Sequence, residues 1–196
     1  MKLSIKDCVL VLVSSCSGEI SGKTLLQKRL FFVGELLGLK GLGYAAHYYG
    51  PYSQLVASAT NQLVSLGFLE EQTIGFGADD LGFEKRRVDY HLTDDGREVL
   101  AYLKRKNKKE VEAINEACQH LLSAGDLDYF ALSHAAKAYF LLKEEGHPMT
   151  REEIRAKAES FHWKIAPDNL DRAIDFLIKL DLARHHSSVS KKQNHK

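Results

Sequence analysis

The chain has 196 residues, of which 44% are hydrophobic and 27% are charged. These proportions exclude a disordered chain, and no apolar run approaches the roughly 18 residues of a membrane-spanning helix. The N-terminus also lacks the basic, apolar and small-residue order of a signal peptide. The length allows one domain or two small ones, so we expect a globular, cytoplasmic protein.

The three cysteines are an odd number and include no Cys-x-x-Cys pair. This spacing argues against a disulfide framework and against a thiolate zinc site. We expect Cys8, Cys16 and Cys118 to be buried thiols.

The net charge of +1 conceals a segregation along the chain. Residues 1–102 carry 10 Lys/Arg against 12 Asp/Glu, and residues 110–186 carry 9 against 14. Five basic residues lie in 104–109 and three more follow residue 186. Two mildly acidic segments with a basic hinge and a basic tail differ from the overall basic composition of most nucleic-acid-binding proteins.

The first elements alternate with Gly-rich turns. The apolar run at residues 5–13 fits either a helix capped by Ser4 or a short buried strand. Apolar residues at helical spacing predict a helix over residues 23–37, ended by Gly38.

A second helix is predicted over residues 51–66, with Pro51 in its first turn, and its two sides differ. The apolar side comprises Leu55, Val56, Ala59, Leu63 and Leu66. The opposite side is polar but uncharged and comprises Gln54, Ser58, Asn61, Gln62 and Ser65.

A β-hairpin is predicted next, with strands at residues 68–74 and 87–92 joined by Gly- and Asp-rich turn residues. Thr93 then caps a helix whose apolar stripe can continue as far as Leu122, with one interruption at Gly96.

The second half predicts three more helices. The first contains Leu132 and Tyr139 and ends at Gly146. Thr150 and Glu153 form a capping box that opens the next helix, and Pro167 opens the third. Residues 187–196 are polar and expected to be disordered.

The two halves share a short pattern, since residues 63–69 and residues 177–183 each close a third helix and lead into an extended segment. Three helices followed by a hairpin is the winged-helix plan. The predicted fold is mainly α with a small β-hairpin wing. The predicted parts are a winged-helix domain at 1–103, a helical connector at 104–125, a helical domain at 126–186 with a winged-helix-like arrangement as the alternative, and a disordered tail at 187–196.

Two motifs carry a resemblance over about residues 5–103. The stretch from Gly22 to Phe32 contains Leu-Gln-Lys, and the stretch from His47 to Ser53 contains Tyr-Gly-Pro-Tyr-Ser. Together they resemble the YwgA-type family of little-characterised prokaryotic proteins, which are similar to winged-helix regulators. The segment from Tyr90 to Gly96, with its Leu-Thr-x-x-Gly signature, also resembles the last strand and helix cap of MarR- and PadR-type repressors. The resemblance implies a fold more than an activity.

Residues 17–24 nearly match a phosphate-binding loop, with Lys23 and Thr24 at its end. Ser17 stands where the first glycine belongs, and no later strand supplies a metal-binding Asp. We interpret residues 22–24 as the start of a helix and Lys23 as a surface residue, which leaves nucleotide binding as a third choice. The nine histidines show no metal-ligand spacing, and no nucleophile motif is present. We therefore predict no enzyme activity, no catalytic residue, no metal and no cofactor.

A DNA-binding transcriptional regulator is the first functional prediction. The helix at 51–66 would read base edges and the wing at 68–92 would contact phosphates or the minor groove. The candidate contact residues for DNA or for a protein partner are Tyr49, Tyr52, Ser53, Gln54, Ser58, Asn61, Gln62, Lys85, Arg86 and Arg87. The reading helix has no Lys or Arg of its own, so the basic run at 104–109 would have to add phosphate contacts.

The alternative is a protein-interaction module without DNA binding. A surface with Tyr44, Tyr48, Tyr49 and Tyr52 that is polar but uncharged suits a protein interface, unless these tyrosines pack beneath the wing. In the regulator interpretation, the helix from Thr93 is a candidate homodimer element because of its apolar stripe. No membrane partner is expected.

Overall fold

The computed structural model describes residues 3–78 and 84–185, apart from the side chains of residues 78, 84 and 85. These residues form eight helices and a three-stranded antiparallel sheet with the strand order β1-β3-β2. In chain order the elements are α1 (Ile5–Ser15), β1 (Glu19–Ser21), α2 (Lys23–Leu36), α3 (Gln54–Ser65), β2 (Leu69–Ala78), β3 (Glu84–Leu92), α4 (Asp94–Lys106), α5 (Lys108–Ala124), α6 (Tyr129–Glu145), α7 (Arg151–Ser160) and α8 (Pro167–Lys179). The prediction of a mainly helical fold with a small β component is confirmed.

The first element is a helix, not a strand. Ser4 Oγ accepts a hydrogen bond from Asp7 N at 3.2 Å, and the Asp7 carboxylate accepts one from Ser4 N at 2.8 Å. This capping box pairs backbone N–H groups that a helix otherwise leaves free. Residues 8–13 are all buried, so α1 runs through the centre of the core with contacts to α3 and α5.

Three features of the secondary structure differ from the predictions. The helix predicted from Pro51 begins instead at Gln54, because Ser53 provides the N-cap. β1 was not predicted, since three residues are too few to show a period, and it pairs with β3 from Glu19 opposite His91 to Ser21 opposite Asp89. The long helix predicted from Thr93 is divided into α4 and α5 at Asn107, whose φ of −130° and ψ of 47° are not helical.

The two halves of the chain meet in one hydrophobic cluster. Phe32 of α2 packs edge-on against Phe176 of α8 with ring centroids 5.7 Å apart. Nearby, Lys143 Nζ of α6 donates to Glu35 of α2 at 2.6 Å. The predicted domain boundaries stay predictions, but α2 is the element on which the C-terminal helices pack.

The pattern shared by the two halves corresponds to the same helix ending. Phe68 N donates to Leu63 O at 2.9 Å, and Leu182 N donates to Leu177 O at 2.9 Å. The intervening Gly67 and Asp181 both have positive φ, of 75° and 56°. This is the Schellman geometry. The first ending leads into β2, whereas no strand follows the second one up to residue 185, where the described chain ends.

The described residues include no helix with the length and apolar character needed to cross a bilayer. Nor do three or more His, Cys, Asp or Glu side chains in that part of the chain group as a metal site would require. The tail predicted to be disordered lies outside the described residues.

Candidate binding surface

The exposed side of α3 is polar and uncharged, as its spacing predicts. Val56, Ala59 and Leu63 are buried, which fixes the rotation of the helix. Gln54, Asn61, Gln62 and Ser65 are exposed on the other side, and Ser58 is half-buried.

Two leucines assigned to the apolar side are instead exposed. Leu55 and Leu66 have 51% and 55% of their surface accessible. They lie at the two ends of α3, where the helix extends past the core, and Leu55 rests beside Gly43. We call the group Gln54, Leu55, Ser58, Asn61, Gln62 and Leu66 the α3 surface. It combines amide groups with one exposed leucine at each end.

Ser53 does not belong to this surface, because it is fully buried. Its hydroxyl accepts a hydrogen bond from Val56 N at 3.0 Å and donates one to Leu42 O. The prediction that Ser53 is a surface contact residue is therefore wrong. This side chain caps α3 and ties it to the preceding loop.

The segment before α3 is held by two neighbouring side chains of α2. Gln27 Nε2 donates to Ser53 O and Gln27 Oε1 accepts from Ser53 N, both at 3.0 Å. Lys28 Nζ donates to Pro51 O at 2.7 Å. The Leu-Gln-Lys motif and the Tyr-Gly-Pro-Tyr-Ser motif therefore bind one another. Sequence reasoning missed this role, although the occurrence of both motifs in one chain was an available signal.

The four tyrosines of this segment have different environments. Tyr44 packs on Phe31 with ring centroids 5.1 Å apart and donates to Gln27 O at 2.8 Å. Tyr52 is half-buried with its ring 5.0 Å from that of His47. Tyr48 and Tyr49 form an edge-on pair and are 70% and 62% exposed. Of the four, only Tyr48 and Tyr49 are largely free to contact a partner.

Arg87 of β3 and Lys23 of α2 have acidic neighbours. Arg87 binds Asp89 with two hydrogen bonds of 2.7 Å, and this pairing raises the pKa of Arg87. Lys23, an exposed residue at the start of α2 as predicted, lies 3.9 Å from Glu71. Arg86 is exposed, and the side chain of Lys85 lies outside the described part of the structure.

The segment that resembles a phosphate-binding loop has a different conformation. Residues 19–21 form β1 and pair with β3. A phosphate-binding loop needs its backbone N–H groups directed at the ligand. Here the middle of the segment belongs to a sheet, so its geometry does not support the nucleotide interpretation.

The apolar stripe of α4 is used within the chain. Leu100 and Leu103 are buried in the common core, and Val99 packs against it. The exposed side carries Arg97, Glu98 and Lys104. The apolar stripe that supported the homodimer prediction is therefore packed within the chain.

The pKa of Lys28 allows a test of the contacts that hold the segment before α3. Burial, and secondarily the charge of Lys137, lower the pKa of Lys28 to about 8. Between pH 8 and the ordinary lysine value, the unfolded chain keeps a proton that the folded chain has released. The free energy of unfolding due to this group therefore rises with pH across that window and is lowest below pH 8.

In the Lys28→Met variant, we expect the rise in unfolding free energy with pH that Lys28 causes to be absent. The difference in unfolding free energy between the wild type and Lys28→Met should grow by about 1 kcal/mol per pH unit between about pH 8 and 10. Urea titrations at four pH values measure it. The exposed residue Lys179 offers the matched control, Lys179→Met, whose difference from wild type should not change with pH. Equal slopes for the two variants would contradict the prediction.

Comparison with known proteins gives a partial relationship. No protein-family model matches the chain. The uncharacterised protein YwgA of Bacillus subtilis (strain 168) is 39% identical over 91 residues. The match covers 46% of this chain and 51% of YwgA, so the two are similar over about half the length of each.

Proposed function

We propose that this protein is a winged-helix interaction module that binds a protein partner through the α3 surface and the exposed pair Tyr48 and Tyr49. The single observation that carries the proposal is an exposed, uncharged helix face with a leucine at each end. Tyrosines and apolar side chains with few charges are typical of the central part of protein interfaces.

The order of elements supports the winged-helix part of the proposal. Helix, short strand, helix, helix and hairpin follow one another in α1, β1, α2, α3 and β2–β3. The sheet order β1-β3-β2 places the short strand against the second strand of the hairpin. In winged-helix proteins the third helix and the hairpin form the presenting surface.

Charge placement favours a protein over a nucleic acid. Binding to DNA draws much of its affinity from Lys and Arg contacts to phosphates. α3 carries no Lys or Arg, and Arg87 is neutralised by Asp89. Glu70, an exposed residue at the start of β2, adds a negative charge close in sequence to the end of α3.

Site-specific photo-crosslinking tests the proposal in cells that express the full chain. A photoreactive residue replaces Gln62 on the α3 surface, and the matched control replaces the exposed Arg172 on α8. We expect a discrete, protease-sensitive adduct from position 62 only. Additional Leu66→Lys and Tyr49→Ala substitutions should each weaken that adduct. The absence of an adduct, or an equal adduct from position 172, would contradict the proposal.

A DNA-binding regulator remains the second candidate, favoured by the exposed amides of Gln54, Asn61 and Gln62. Asn and Gln can make paired hydrogen bonds to adenine in the major groove. Fluorescence anisotropy on random duplex DNA at low and at physiological salt tests this candidate. Salt-sensitive binding that falls in the triple variant Lys85→Ala, Arg86→Ala and Arg87→Ala would favour it. A nuclease-sensitive adduct from position 62 would point in the same direction.

A further inference from the structure

Two lysine side chains are buried beside each other, and neither has a carboxylate partner in the part of the chain that the structure describes. Lys28 of α2 is 1% exposed and Lys137 of α6 is 9% exposed. Lys28 Nζ has three N–H groups and donates one of them to Pro51 O, its one hydrogen bond within the described residues. Lys137 Nζ lies 5.9 Å from the centre of the Trp163 ring and has no hydrogen bond or ion pair within the described residues.

Gly50 shows how close the two lysines are. A methyl group built on this glycine would lie 3.6 Å from Cε of Lys28 and 3.6 Å from Cε of Lys137. The Cε atoms of both lysines are therefore next to one backbone position in the turn that leads into α3. That turn also contains the exposed Tyr48 and Tyr49.

A third nitrogen belongs to the same cluster. His134 is one helical turn before Lys137 on α6, and its Nδ1 is buried without a hydrogen-bond partner. Burial and the charge of Lys137 lower the pKa of His134. Backbone groups of Phe130 and Lys164 next to the ring, and then the carboxylate of Asp128, oppose this shift with a smaller effect.

The neighbouring residue Arg29 is a buried basic residue that does have an acidic partner. Arg29 is also buried, but its Nη2 is 2.8 Å from Asp126 Oδ1. A buried charge is costly unless it is paired, and two like charges in contact add to that cost. Neither Lys28 nor Lys137 has a counterpart to Asp126. The cluster is therefore a concentration of donors and positive charge with no carboxylate counterion among the described residues.

We propose that Lys28, Lys137 and His134 form a binding site for a phosphate-type dianion. Two ammonium groups match the charge of one phosphoryl group, and the imidazole supplies a further N–H donor. The site is separate from the α3 surface, and its test does not require the proposed protein partner. Because Lys28 binds Pro51 O, a bound anion would compete for the group that holds the turn before α3.

Isothermal titration calorimetry with inorganic phosphate at constant ionic strength and neutral pH tests the site on the full chain. We expect saturable binding to the wild type. Lys137→Gln should weaken it by about tenfold or more, since it removes one charge-assisted hydrogen bond. The control Lys179→Gln removes an exposed lysine elsewhere and should bind as the wild type does.

Further titrations identify the ligand class. Glycerol phosphate that binds as well as inorganic phosphate would indicate the phosphoryl group of a larger molecule, whereas weaker binding would indicate the free ion. Acetate should not bind measurably. Thermal unfolding verifies that each variant is folded, and His134→Gln carries the same expectation if Lys137→Gln does not fold. The proposal is overturned if the wild type shows no saturable heat, if the cluster variants bind normally, or if acetate binds equally well.

Discussion

Gly96→Ala is expected to lower the free energy of unfolding by about 3 kcal/mol, at the upper end of the range for overpacked sites. A Cβ atom at this position would lie 2.2 Å from Phe68 O and 2.8 Å from Leu92 Cδ1. The carbonyl belongs to the turn after α3 and cannot move freely. Thr93 fixes the same contact, because its hydroxyl donates to Gly67 O at 2.7 Å and accepts from Gly96 N at 3.0 Å. The gain of about 1 kcal/mol in helix propensity does not offset this overlap.

Urea denaturation measures the effect, and the thermal midpoint should fall by roughly 6 to 12 °C. Gly75→Ala is the matched control, since no heavy atom of the described residues lies within 4 Å of the added methyl and its φ is not positive. That variant should stay within about 0.5 kcal/mol of the wild type. If Gly96→Ala is equally mild, α4 does not lie against the Phe68 carbonyl.

Gln27→Leu is expected to destabilise the protein by about 2 kcal/mol. The side chain is 3% exposed and pairs both backbone groups of Ser53. Leucine would leave the buried Ser53 N–H without a partner, at about 1 to 3 kcal/mol, whereas Ser53 O keeps the hydrogen bond from Ala57 N at 3.1 Å. The turn at residues 47–53 should then open more often than the rest of the molecule.

Two measurements separate this local effect from general destabilisation. Urea denaturation gives the change in unfolding free energy, and native-state hydrogen exchange reports protection at the Ser53 amide. Gln62→Leu places the same substitution on the exposed side of α3 and should change stability by less than about 0.5 kcal/mol. Unchanged protection of Ser53 in Gln27→Leu would contradict the role of Gln27 as its partner.

Local signals predicted most of the secondary structure. The capping box of Thr150 and Glu153 and the proline at residue 167 begin α7 and α8 as expected. The polar face of α3 also follows from its 3.6-residue period. These features depend on residues that are close in sequence, so the chain specifies them without knowledge of its neighbours.

The environment of single side chains was less predictable. Ser53 has the residue type of a surface contact, yet it is buried because Leu42 and Gln27 close over it. Arg87 has the residue type of a phosphate contact, yet Asp89 binds it two positions along the same strand. Identity and spacing give the chemistry of a side chain, but its partners determine whether that chemistry is available.

The sequence alone determined the helical class, the hairpin, the helix caps and the two motifs that resemble one family, because each depends on short-range periodicity or on specific local residues. Only the tertiary structure brought Gln27 and Lys28 onto the loop at residues 47–53, and placed Lys137 of α6 next to Lys28. Contacts between residues that are from about 20 to more than 100 positions apart in sequence depend on how the helices pack, and local sequence patterns do not predict them.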